Sequence, residues 1–146
     1  MARKIFVCVI ISLMLISQAW GVVKKFELFS VDVPPSWLTE QQNKTLILKS
    51  GDGLASISVS LEKVDKQELS DVVEKLYLER EGVDLEQDDD GDYSFSFKDS
   101  SGNENIALIT GGDDYYLLVT MAGFENEALQ GDIETILGSI DWEESN

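Results

Sequence analysis

The 146 residues carry 28 acidic against 11 basic side chains, a formal net charge of −17, with no histidine and a single cysteine. Such a balance repels the phosphates of nucleic acid and the headgroups of anionic lipid, and no basic run exceeds Lys24-Lys25, so nucleic acid is not an expected partner. Without imidazole, histidine-dependent zinc hydrolysis and Ser-His-Asp or Cys-His catalysis lack their parts.

The chain opens on a short basic head, Ala2-Arg3-Lys4, followed by an apolar run from Ile5 to Ile16 broken only by Ser12. Small residues at cleavage spacing follow in Ser17-Gln18-Ala19-Trp20-Gly21. This is the pattern of a secretory signal peptide over residues 1–21, cut after Gly21 or after Ala19. The apolar run is shorter than the ~20 residues that span a bilayer, so stable membrane insertion is not expected once the leader is removed. Cys8 lies inside the leader, too early in the run to be a lipoprotein cysteine. The expectation is an exported protein, periplasmic or extracellular, without thiol or disulfide. Residues 22–146 suffice for one domain that buries enough surface to fold without cystines.

Phe26 to Val33 alternates, with Phe29, Val31 and Val33 on one side and Ser30 and Asp32 on the other, which predicts a strand. Pro34-Pro35 ends it, since neither proline can donate to a ladder, and Trp37 is placed to fold back over the sheet edge. Thr45–Lys49 and Leu54–Glu62 flank the turn signal Gly51-Asp52-Gly53 and should pair as a hairpin. In the second of these strands Ile57, Val59 and Leu61 oppose Ser56, Ser58 and Ser60, giving an apolar face and one that is wet or packed against something small.

Asp65–Glu81 changes to helical spacing, with Leu69, Val72, Val73, Leu76 and Tyr77 on one stripe. Asp65 and Glu68 resemble a capping box, and Gly82 is a natural stop. Val83–Gln87 is a weak strand, while Tyr93, Phe95 and Phe97 alternate strongly with Ser94, Ser96 and Lys98. Ile106–Thr110 and Tyr115–Met121 are apolar enough to be strands covered on both faces. The short connections Asp90-Gly91, Ser101-Gly102-Asn103 and Gly111-Gly112-Asp113 make this half an antiparallel meander.

Glu125–Ile140 is a second helix, with Leu129, Ile133, Ile136, Leu137 and Ile140 on one face and Asn126 or Glu125 as cap. Gly131 and Gly138 each weaken it by up to ~1 kcal/mol relative to alanine. Close packing on the sheet is the expected reason for Gly138. Trp142 seals the end, and 143–146 is a polar tail. The predicted fold is α+β: an antiparallel sheet of six or seven strands packed with two helices.

Two stretches carry a family resemblance. Phe29-Ser-Val-Asp-Val-Pro-Pro-Ser-Trp37 resembles the F-x-I-x-x-P-x-x-W opening of the PsbP-type superfamily, and Ile136-Leu-Gly-Ser-Ile-Asp-Trp142 resembles its I-L-x-S-I-x-W close. The resemblance implies an α/β/α sandwich of the PsbP/DcrB-like kind and a scaffold, chaperone or assembly role. It brings no catalytic motif. PsbP proteins are linked to manganese and calcium retention, but no matching ligand motif occurs here.

Chemistry has few candidates. The densest acidic run, Glu86 to Asp92, places Glu86, Asp88, Asp90 and Gly91 as an EF-hand loop would, but Phe97 stands where the bidentate glutamate belongs. A solvated hairpin turn is the simpler reading, with Asp88, Asp90 and Asp92 as residual metal candidates. No carboxylate pair is nominated for hydrolysis, so neither enzymatic activity nor a cofactor is expected. Trp37 and Tyr116 are candidates for a partner surface, Tyr116 because it points opposite to Tyr115, Leu117 and Val119. Asn43-Lys44-Thr45 matches a glycosylation sequon, a triplet common by chance. The expected function is a non-enzymatic module that binds a protein partner in the cell envelope; the alternative is a small-ligand or divalent-cation-binding envelope protein.

Overall fold

A computed structural model describes residues 22–25, 29–112 and 114–142, so the predicted leader and the 143–146 tail lie outside the described residues. The main sheet has seven antiparallel strands: β3 (Leu38–Gln42), β4 (Thr45–Lys49), β5 (Ser56–Lys63), β6 (Val83–Gln87), β7 (Tyr93–Lys98), β8 (Glu104–Gly111) and β9 (Tyr115–Ala122). They lie in the order β3-β4-β5-β9-β8-β7-β6. Helix α1 (Leu69–Glu79) crosses between β5 and β6, and α2 (Gln130–Ser139) follows β9. A small second sheet places β2 (Phe29–Val33) between β1 (Val22–Lys25) and β10 (Asp141–Trp142).

Alternation along the strands builds a core on each face of the main sheet. On one face Leu46, Leu48, Ile57, Val59, Leu61, Leu117, Val119 and Met121 meet Ile133 and Ile136 of α2 and Phe29, Val31 and Val33 of β2. On the other, Phe95, Phe97, Ala107, Ile109 and Leu118 meet Val73 of α1, with Leu69, Leu76 and Tyr77 beside it. The predicted sheet, the 45–62 hairpin and both helical stripes are therefore present, with one helix on each face. The expectation of double coverage holds best for β9, where Leu117, Leu118 and Val119 are buried in succession. In β8 the buried Asn105, Ala107 and Ile109 alternate with half-buried Ile106, Leu108 and Thr110. Hydroxyls meet on the serine face of β5, which is half-buried to buried: Thr45 Oγ1 donates to Ser60 Oγ at 3.3 Å, and Ser58 bonds Thr120 of β9.

Several local expectations are corrected. α1 starts at Leu69, because Asp65 and Lys66 adopt left-handed φ of 52° and 63°, and Glu68 caps it without a side-chain bond. The stop is a Schellman turn in which Glu81 (φ 53°), and not the glycine, takes the left-handed position. Gly82 N–H donates to Tyr77 O at 2.8 Å, and Glu81 N–H to Leu78 O at 3.2 Å. Gly82 is required for contact: a Cβ there would lie 2.5 Å from the Tyr77 ring and 2.8 Å from Phe95. At Gly138, by contrast, a Cβ would meet nothing within 4 Å, so close packing does not explain it. The second helix is preceded by a 3-10 turn, Glu127–Leu129, whose cap Asn126 accepts from Ala128 N–H at 3.1 Å.

Candidate functional site

Three turns converge at one end of the main sheet around a cleft of about 590 Å³. Its walls are Gly53–Ser56 from the β4–β5 turn, Asp99 and Asn103–Glu104 from the β7–β8 turn, and Ala122–Glu125 after β9, with Lys49 at the rim. The first two walls are fixed by side-chain hydrogen bonds to the backbone. In the first, Ser50 Oγ donates to Asp52 Oδ1 at 2.6 Å, and the same carboxylate oxygen accepts from Leu54 N–H at 3.0 Å. Ala55 N–H donates back to Ser50 Oγ at 2.9 Å. These bonds, that from Ser50 foremost, hold the Asp52 carboxyl below its ordinary range.

In the second wall Asp99 Oδ1 accepts from Ser101 N–H at 2.9 Å and Asn103 N–H at 3.0 Å. Its Oδ2 accepts from Nδ2 of the buried Asn105 at 3.1 Å. The Asn103 amide foremost lowers the Asp99 pKa, so this carboxylate stays charged at the cleft. The third wall is pressed onto the first at Gly123 (φ 75°), where a Cβ would sit 2.0 Å from Leu54 O and 2.8 Å from Ala55 Cα. A side chain at 123 cannot fit without parting the two turns.

The acidic run 86–92 forms the β6–β7 turn on the same plan as the Asp99 turn. Asp88 Oδ1 accepts from Asp90 N–H at 3.0 Å and Asp92 N–H at 2.9 Å, and Gly91 takes a left-handed φ of 90°. The Asp88 carboxylate thus organises the turn instead of facing Asp90 and Asp92 as a joint ligand set. Among the described residues no group of three or more carboxylate, histidine or cysteine side chains is arranged to hold a metal ion.

Of the two aromatic candidates, Trp37 is placed otherwise than a partner surface requires. Trp37 is a core residue, 4% exposed, and its Nε1–H donates to Asp132 Oδ2 on α2 at 2.9 Å. Pro34 O accepts from Trp37 N–H at 3.0 Å, so the double proline folds the indole inward beneath α2. Tyr116 does point away from Tyr115, but it is half-buried against the second core, opposite Glu62 in the β5–β9 register. Burial first, and the Glu62 charge next, raise its phenol pKa. Nearby, Phe95 packs edge-on to Tyr77 with centroids 5.5 Å apart, and the Arg80 guanidinium lies 5.0 Å over the Phe97 ring. No single run of residues announces the cleft, because its walls are separated by about half the chain; the turn signals Asp52-Gly53 and Ser101-Gly102-Asn103 were its only trace in the sequence.

No helix among the described residues is long and apolar enough to cross a membrane. No protein-family model matches the sequence, and neither does any curated protein sequence. Solved structures do. A protein from Bacteroides thetaiotaomicron aligns over 88% of this chain with a TM-score of 0.57 and 13% identity. The match spans only 50% of that protein's length. The solution structure of cyanobacterial PsbP (CyanoP) from Synechocystis sp. PCC 6803 aligns over 86% of this chain and 94% of its own, with a TM-score of 0.61 and 12% identity. Taken with the sheet order and the placement of a helix on each face, these likenesses establish that the chain has the PsbP-like α+β fold.

Proposed function

We propose that residues 22–146 form an exported, non-enzymatic module that binds a basic protein partner in the cell envelope, in an assembly or chaperone role. The observation that carries this reading is uncompensated negative charge. With 28 acidic residues in the chain, one ion pair, Lys75–Glu79 at 4.0 Å, is found among the described residues, and both its side chains are largely exposed. A surface field of one sign steers and selects a partner of the opposite sign more than it stabilises the fold. The leader pattern supports export, and the lack of histidine together with a lone cysteine in the leader supports a non-enzymatic role.

The test is capture from an envelope extract on immobilised 22–146. A reproducible basic partner, retained at ~0.05 M salt and released at ~0.5 M as screening predicts, is the expected result. Recovery of no reproducible partner, or of one indifferent to salt, overturns the reading. The alternative, a divalent cation as ligand, predicts a Tm rise in millimolar calcium; an unchanged Tm removes it.

A further inference from the structure

We propose that the cleft between Leu54, Phe124 and the Asp99–Glu104 turn seats an extended segment of the partner in which a large apolar side chain stands next to a lysine or arginine. The proposal rests on the basic-partner reading and adds the place and chemistry of docking. Leu54 is 62% exposed, although the Ser50–Asp52 bonds fix the turn that carries it and Gly123 is pressed against its carbonyl. An apolar side chain held outward by a rigid turn is presented to a partner at little ordering cost. Phe124, half-buried on the facing wall, offers the second apolar surface, and a volume of about 590 Å³ lies within the range of pockets that enclose small ligands or a few side chains.

Charge then sets the partner's chemistry. Asp99, Glu104 and Glu125 line the cleft against Lys49 alone, so an incoming cation beside the apolar anchor is favoured and an anion is repelled. Asp99 is immobilised by its three hydrogen bonds, while Glu104 and Glu125 are exposed and free to close on a guanidinium or ammonium. The other acidic cleft, at Glu86–Asp92 and about 280 Å³, has no strongly exposed leucine or phenylalanine in its lining. It provides the control.

The probe is a short fluorescent peptide alternating leucine and arginine, titrated at ~0.15 M salt, with amide NMR shifts recorded on the labelled protein. Expected are saturable binding and shifts concentrated in 53–56, 99–104 and 122–125. Leu54→Ser and Glu125→Lys should each weaken binding about tenfold, as anchor positions do, whereas Asp89→Lys, the same charge change at the other turn, weakens it less than about twofold. All three side chains are exposed, so unchanged melting temperatures confirm intact folds. Equal loss with Asp89→Lys, no loss with Leu54→Ser, or absence of saturable binding overturns the proposal. Undiminished envelope capture by Leu54→Ser overturns the cleft assignment while leaving the basic-partner reading standing; failure of capture by the unaltered protein overturns that reading itself.

Discussion

The two cores on opposite faces of the sheet differ in how the chain assembles them. The face beneath α2 is mostly aliphatic and draws on residues from Phe29 to Trp142, almost the whole described length. The face beneath α1 draws on residues 69–118 alone and is centred on an aromatic pair, Phe95 and Phe97, 5.9 Å apart. Their common elements are β9, which turns Leu117, Val119 and Met121 to the first core and Leu118 to the second, and β8, which packs Ile106 and Leu108 against the first and places Ala107 and Ile109 in the second. A local aromatic core and a long-range aliphatic one are thus joined through two paired central strands, and this joint should make them unfold together.

The largest expected effect tests that joint. Phe95→Ala removes a fully buried ring from the second core and should destabilise the protein by ~3–5 kcal/mol; Ile57→Ala in the first core should cost ~2–5 kcal/mol. Trp37 and Trp142 both belong to the first core, so tryptophan fluorescence reports on that face while far-UV circular dichroism reports on both. Urea unfolding of Phe95→Ala should show the two signals moving together. A dichroism transition preceding the fluorescence transition would show instead that the cores are independent.

Next in size is Asp132→Ala. It strands the Trp37 Nε1–H in a site that is almost closed to water and should cost ~1–3 kcal/mol, read as a shift in the urea midpoint of the first core. Smaller and of opposite sign is Gly138→Ala. Because a Cβ there meets nothing, the substitution should stabilise α2 by ~0.5–1 kcal/mol, and a loss of stability would reveal a constraint at this position that packing does not explain.

The smallest effect is electrostatic, and each half of the sheet supplies one group. Asp52 in the β4–β5 turn and Asp99 in the β7–β8 turn both have lowered pKa values in the folded protein. A lowered folded pKa contributes stability above the ordinary value of 3.8 and loses it as pH falls through the folded value. Melting temperature measured from pH 5 downward should therefore fall less steeply in Asp99→Asn than in the unaltered protein. A slope unchanged by Asp99→Asn and Asp52→Asn alike would mean that these turns are equally organised in the unfolded chain.

Where each side chain's neighbour is close in sequence, the fold could be read from the residues. The alternation in 45–62 and 93–97, the stripe from Leu69 to Tyr77 and the cap at Asn126 are of this kind. β3 could not be read, since Leu38-Thr-Glu-Gln-Gln42 is an almost wholly exposed edge strand with no apolar alternation to announce it. β6 lies at Val83–Gln87 as read, and its signal is weak where the register slips between Val83 and Glu86 and Asp84 adopts a φ of 56°. α1 starts later than its capping pattern suggests, because the left-handed backbone at Asp65 and Lys66 overrides that pattern. Trp37 was legible as an aromatic beside prolines, but its partner Asp132 lies 95 residues away. The cleft suffers from the same distance: turn residues give its walls, and only the sheet order brings them together.

The seating of β2 has a consequence for how the molecule comes into being. β2 is among the first elements in the chain, yet it pairs with β10 at Asp141–Trp142, and Asp32 N–H donates to Ser139 Oγ across 107 positions. Together with the Trp37–Asp132 bond, these contacts mean that a growing chain cannot complete its first core until Asp132 to Trp142 have emerged from the ribosome. Contacts so distant in sequence also slow folding once the chain is released. The contacts of the second core all lie within residues 69–118 and can be made earlier, while the apolar residues of β4 and β5 wait for their cover.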